Sequence, residues 1–168
     1  AAMVKEWFPN AQKVGLLYCS AEPNSKYQVD TVQKELEKMN ITCKQYPFAE
    51  TNELQAVVQQ AASESDVIYI PTDNAVAAAT GTVYDVCSAS GTPVITGDTG
   101  TCSGCGVATL GISYYDLGAT TGKMAAKILK GEADISTMPI EYAATSTPKY
   151  NAAICEALGL TAPEGYTA

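Results

Sequence analysis

Histidine and arginine are both missing from this 168-residue chain; all ten basic residues are lysines. Without histidine there is no Ser-His-Asp or Cys-His catalysis, no His-ligated zinc and no haem on a proximal histidine. Without arginine there is no bidentate clamp for phosphate or carboxylate. Positive charge is scarce altogether. The net charge of −8 argues against a polyanionic partner such as DNA or RNA. No apolar run approaches the ~18–20 residues of a membrane span. No signal peptide is visible before Val4, and a start without an initiator methionine reads as a piece of something longer. No glycine loop matches the dinucleotide or nucleotide patterns. An enzyme of the usual kinds is hard to build from what remains, and no cofactor is expected.

What is present is ample apolar material, 46% of residues, in about one domain's worth of chain. The dominant pattern is strand followed by helix. Lys13 to Tyr18, Val67 to Ile70 and Val94 to Thr96 are short apolar or β-branched runs bounded by turn residues, as in buried strands. Thr42 to Tyr46 is a weaker edge strand, and Val107 to Ile112 a fifth. Between them, Val29, Val32, Leu36 and Met39, then Leu54, Val57, Val58 and Ala61, then Val76, Thr80, Val83 and Cys87, mark single helical faces. A capping-box spacing at Ser113 to Asp116 opens a helix through Lys130, stopped by Gly131. Met138 to Tyr142 reads as a short strand. Thr147-Pro148 reads as the start of a last helix, and Leu158 to Ala168 as a loose tail. Strands alternating with helices predict an α/β fold: a doubly wound, mostly parallel five-stranded sheet with helices on both faces.

In such sheets ligands bind beyond the carboxyl ends of the strands. Three loops deliver small polar and acidic groups there: Glu22, Asn24 and Ser25 after the first strand, Thr72, Asp73 and Asn74 after the third, and Asp98 after the fourth. Carboxylates with amide and hydroxyl neighbours suit a ligand bearing an ammonium or several hydroxyls. Helix capping or turn chemistry accounts for any one of these residues alone. Three clusters at one sheet edge are less easily explained that way. Cys102 and Cys105 form an isolated CxxC, read as lying in a loop. Without a helix N-terminus or a second pair it suits neither redox catalysis nor zinc, so no metal is expected. A local disulfide or two idle thiols remain. Cys19, Cys43, Cys87 and Cys155 fall in apolar segments and read as small core residues.

The ordered set Val14 to Tyr18, Glu22 to Ser25, Tyr69 to Asn74, Pro93-Val94, Gly97-Asp98 and Leu110 to Gly118 closely resembles the ABC-transporter substrate-binding proteins of the type 1 periplasmic-binding fold. The branch in question includes tryptophan-binding TrpX-like lipoproteins. The resemblance runs from about Val4 to Leu160 and covers the second half of such a protein. It implies residues 1–160 as the C-terminal lobe of a two-lobed solute-binding protein, with 161–168 a tail. It also implies a non-enzymatic function: capture of a small polar solute, an aromatic amino acid by preference, between two lobes outside the membrane, and delivery to an ABC permease. The signal peptide, the lipid anchor and the first lobe would lie upstream. By motif, Glu22, Asn24 and Ser25 match the first cleft loop, Thr72, Asp73 and Asn74 the second, and Asp98 the third. Asp73 is then expected to pair with a ligand ammonium, and Asn24 and Ser25 to bond polar ligand atoms. Cys102 and Cys105 depart from the family's ordinary polar loop. The resemblance also implies that helix 114–130 packs on the missing lobe, so that in this fragment its apolar face invites swapping or dimerisation. The effector domain of a LacI-type regulator shares the fold and is the alternative reading.

Overall fold

The strand β1 (Lys13–Cys19) is buried at every position after Lys13, as a strand covered on both faces must be. It pairs in parallel with β2 (Thr42–Phe48) on one side and β3 (Val67–Ile70) on the other. The sheet continues in parallel through β4 (Val94–Thr96) and β5 (Ala108–Ile112), then closes with an antiparallel β6 (Ser146–Tyr150). The order is β2-β1-β3-β4-β5-β6, so the chain changes direction between β1 and β3. This computed structural model describes residues 1–143 and 145–168.

Alternation along the strands divides the core into two layers. Val14, Leu16, Tyr18, Val67, Tyr69 and Ile95 pack against α1 (Ala2–Trp7), α2 (Pro23–Lys38) and α8 (Ala152–Ala157). Leu17, Cys19, Ile68, Ile70 and Val94 face α3 (Leu54–Glu64), α4 (Asn74–Ala77), α5 (Thr80–Ser90) and α6 (Thr99–Cys105). Each fully buried Leu, Ile or Val contributes about 1.5–3 kcal/mol of transfer free energy. The doubly wound α/β reading therefore holds.

Four local expectations do not hold. The sheet has six strands among the described residues, because Ser146 to Tyr150 pairs along all of β5 instead of opening a helix. Pro148 fits this edge strand, where a missing N–H costs little. The last helix starts one element later, at Asn151, whose side chain accepts from the Ile154 N–H. Met138 to Tyr142 forms no strand. Cys102 and Cys105 sit in a helix, α6, not a loop. The C-terminal residues are not loose: Tyr150 donates to the Thr167 carbonyl, and Tyr166 meets Trp7 edge-on at 5.2 Å.

All six cysteines are free thiols, and all but Cys43 are buried. Burial pushes the Cys87 thiol up to about 12 and Cys102 up to about 11, and Cys105 rises further. The reactive species is the thiolate, so these groups are doubly protected, by burial and by protonation. We expect an alkylating reagent at neutral pH to leave Cys87, Cys102 and Cys105 unmodified in the native protein and to label them in denaturant. Mass-spectrometric mapping checks this; rapid native labelling at those three positions would contradict it.

One element stands apart. Helix α7 (Tyr114–Leu129) starts on Ser113, whose hydroxyl accepts from the Asp116 N–H, yet none of its residues is buried. Tyr115 is 85% and Leu129 88% exposed.

Candidate ligand-binding site

The loops after β1 and β3 flank the point where strand order reverses, which is where open α/β sheets bind ligands. They are tied together by side chains. Asp73 is the N-cap of α4, its Oδ1 accepting from the Val76 N–H at 3.0 Å. Its Oδ2 accepts from the Cys19 N–H, at the end of β1, at 2.8 Å. Asp73 is 1% exposed, so its carboxylate is engaged inside the protein and joins the two loops.

Glu22 makes the reverse connection. It is the N-cap of α2, but its carboxylate leaves that helix and reaches α4. It accepts from the Ala75 N–H at 3.0 Å, and from the Asn74 N–H and side-chain amide at 3.2 and 2.9 Å. Pro23 occupies the first turn of α2, where its missing N–H costs nothing. Asn24 and Ser25 therefore lie inside the helix and are not its caps. The Asn24 amide donates to the Thr72 carbonyl at 3.1 Å. Ser25 is buried and its hydroxyl donates to that carbonyl too, at 3.4 Å.

The third loop joins through Gly97. Its N–H donates to the Ile70 carbonyl, and its own carbonyl accepts from the Thr72 hydroxyl at 3.4 Å. A Cβ at position 97 would lie 2.7 Å from the Thr72 nitrogen and 2.9 Å from the Pro71 carbonyl carbon, so only glycine permits this approach. Asp98 caps α6, accepting from the Thr101 N–H and hydroxyl at 2.9 and 2.7 Å.

The seven residues read from the sequence thus gather on one edge in two groups. Ser25, Asp73 and Asp98 are buried and hold the loops in place. Glu22, Asn24, Thr72 and Asn74 are at least partly exposed. Among the described residues, no group donates to the side-chain oxygens of Asn24 and Asn74, which leaves two acceptors beside a fixed backbone. The sequence reading quoted Gly97 only beside Asp98 and gave it no role, and it missed Gln28, whose side-chain oxygen accepts from the Thr72 N–H. A glycine after a strand and a glutamine one turn into a helix carry no distinguishing sequence signal.

Desolvation pushes the Glu22 carboxyl up, but the Asn74 and Ala75 N–H groups and the Asn24 and Asn74 amides outweigh it, so its pKa falls below the ordinary value. The N–H groups of Gln12 and Lys13 likewise hold Asp66 low. A carboxyl depressed on folding adds stability that is present above its unfolded pKa of about 4 and is lost as pH falls through the folded value. The melting temperature is expected to decline below about pH 4. Glu22→Gln should melt lower at pH 7 and show a shallower acid decline. An identical acid profile for the two proteins would contradict the Glu22 assignment.

Residues 2–167 match the family described as ABC transporter substrate binding protein. A tyrosine-binding protein of Clostridioides difficile is 30% identical over 138 residues, covering 82% of this chain and 40% of the relative. The structure of an ABC domain in complex with L-Trp from Streptococcus pneumonia superposes with a TM-score of 0.90 at 32% identity, over 99% of this chain and 58% of that one. A LacI family transcriptional regulator from Bifidobacterium animalis shares the fold alone, at 12% identity and a TM-score of 0.63 over 89% of this chain and 57% of that one. The chain spans less than two thirds of the length of each of these relatives. By its sequence match along almost its whole length, the chain belongs to the ABC transporter substrate-binding protein family.

Proposed function

We propose that this chain is the C-terminal lobe of an extracytoplasmic solute-binding protein that captures an aromatic amino acid between two lobes and presents it to an ABC permease. The knitted edge at the β1/β3 switch point carries the reading: three loops held rigid from below, with polar groups left facing out. In this reading Asn24, Thr72 and Asn74 meet the solute, while Glu22, Ser25, Asp73 and Asp98 fix the loops that present them. The role of Asp73 is thus to position the loops and not to contact an ammonium directly. Binding on a preformed surface keeps the ordering cost of association small. The family supports a place outside the membrane and a role without turnover. A lipid anchor upstream belongs to the proposal, and the sequence preceding Ala1 in the parent protein tests it: a lipobox supports it, a helix-turn-helix contradicts it.

The same reading accounts for α7. A helix with Tyr114, Tyr115 and Leu129 exposed, followed by exposed Ile135, Ile140 and Tyr142, presents an apolar surface that this lobe does not cover. The other lobe is its proposed occupant, and a second copy of this chain takes that place in the isolated fragment.

The test is a thermal-shift or calorimetric titration of the two-lobed protein with the twenty amino acids, then nucleosides and sugars. A ligand at a hundredfold excess over its dissociation constant stabilises by about 2.7 kcal/mol, a rise of about 5 °C or more. The rise is expected with Tyr, Trp or Phe. Stabilisation by sugars or nucleosides alone would contradict the solute class, and silence throughout would contradict the binding role.

A further inference from the structure

The loop edge continues into a groove on the α1/α2 face of the sheet. It encloses about 330 Å³ and is walled by Met3 of α1, Val32 of α2, Ile95 of β4 and Leu110 of β5, with Gln28 of α2 and Tyr69 of β3 among its polar members. Strand pairing sets its floor. Tyr69 lies opposite Ile95 in the parallel β3–β4 ladder, and Ile95 opposite Ala108 in the next. Leu110, two residues on from Ala108, therefore projects from the same face, nearer the loop edge.

The groove is continuous with the three loops, because two residues that line it also hold Thr72. Gln28 accepts from the Thr72 N–H through its side-chain oxygen, and the Gly97 carbonyl accepts from the Thr72 hydroxyl. Gln28 also stands one turn after Asn24 on α2, about 6 Å away.

Two of its side chains are left unfinished by this lobe. Tyr69 is 8% exposed, yet its hydroxyl makes no hydrogen bond among the described residues and is not sealed from solvent. A polar group buried to that extent is normally paired. Burial pushes this phenol up to about 12, so it stays protonated and able to donate. Leu110, an apolar side chain beside it, is 50% exposed. A largely apolar groove of roughly 300 Å³ or more, with a few placed polar groups, has the form of a small-ligand pocket.

We infer that this groove receives the aromatic ring of the solute, with the Tyr69 hydroxyl meeting the polar edge of that ring, a phenol oxygen or an indole N–H. The inference rests on the solute-binding reading above and deepens it. The amino-acid end of the solute stays with Asn24, Thr72 and Asn74, and the groove beside Gln28 takes its side chain. One hydroxyl serves either ring, since it donates to a phenol oxygen and accepts from an indole N–H. Tyr69 thereby favours rings with a polar edge over the plain ring of phenylalanine, which would leave the hydroxyl unpaired.

The experiment is isothermal titration of the two-lobed protein and its Tyr69→Phe variant with tyrosine, tryptophan and phenylalanine. The substitution removes only a hydroxyl that has no partner in this lobe, so the melting temperature should stay level or rise. Affinity for tyrosine and tryptophan is expected to fall on the order of tenfold, while that for phenylalanine stays level or rises. Leu110→Gln, at a half-exposed position, is expected to weaken all three several-fold. Equal changes for all three amino acids in Tyr69→Phe, none included, would overturn the ring pocket and leave the solute-binding reading standing. So would unchanged affinities in Leu110→Gln, or a lower melting temperature in Tyr69→Phe with affinities unaltered. If none of the three amino acids binds the unmodified protein, the solute reading fails and the pocket with it.

Discussion

Asp73→Ala is expected to destabilise this lobe by about 2–4 kcal/mol, combining the loss of a helix cap with a buried N–H left without a partner. Both carboxylate oxygens are in use, one on the Val76 N–H and one on the Cys19 N–H, and no water reaches a side chain 1% exposed. Asp73→Asn separates the two duties, because an amide offers one acceptor oxygen where the carboxylate offers two. It should retain the cap or the tie to β1 but not both, and fall between the native protein and the alanine variant in stability. Solute affinity should drop with stability in both variants, since the loop that moves carries Thr72 and Asn74. Chemical denaturation of the three proteins measures this. A native-like midpoint for Asp73→Ala would show that the carboxylate does not hold the loops.

Gly97→Ala acts on the same loops by steric means. The new methyl would press on the backbone of Pro71 and Thr72, which has no flexible end to swing aside. Overpacking of this kind costs about 1–3 kcal/mol. The displaced segment is the one proposed to face the solute, so affinity is expected to fall at least tenfold, more than the stability loss alone conveys. Gly81→Ala in α5 serves as the control, because a Cβ there meets nothing within 4 Å and alanine favours a helix. Equal affinity in the Gly97 and Gly81 variants would contradict the close approach of the two loops as a determinant of binding.

The fold was legible wherever burial imposed a period. The runs at β1 and β3 are apolar at nearly every position because both faces are covered, and α2 and α3 show single stripes because one face is. Reading failed where local signals conflicted with long-range pairing. Thr147-Pro148 has the chemistry of a helix start, but β5 offers a full ladder of partners, and the edge position tolerates the proline. The segment Thr99 to Cys105 contains two glycines and reads as loop. It forms a helix because Asp98 caps it, and because Gly104 lets it sit against Thr80, where a Cβ would be 2.4 Å from the hydroxyl. The C-terminal residues are polar and rich in turn formers, and only the edge-on contact of Tyr166 with Trp7 shows why they are fixed.

The candidate loops were legible in position, and the duties of their residues were not. Residues after parallel strands had to gather at one edge, and all seven did. Whether a given Asp caps a helix or meets a solute cannot be read from its type, because both duties use the same acceptor oxygens. Burial separates them: Asp73 and Asp98 turn inward, while Asn24 and Asn74 stay at the surface.

The central claim is that the switch-point edge is the floor of the solute site. Amide chemical-shift mapping of the two-lobed protein on addition of tyrosine or tryptophan tests it directly. The account predicts perturbations concentrated at residues 20–25, 71–75 and 97–99, with the buried strands of the sheet little changed. Saturable binding that leaves those three loops unperturbed, and shifts residues at the opposite edge of the sheet instead, would contradict it.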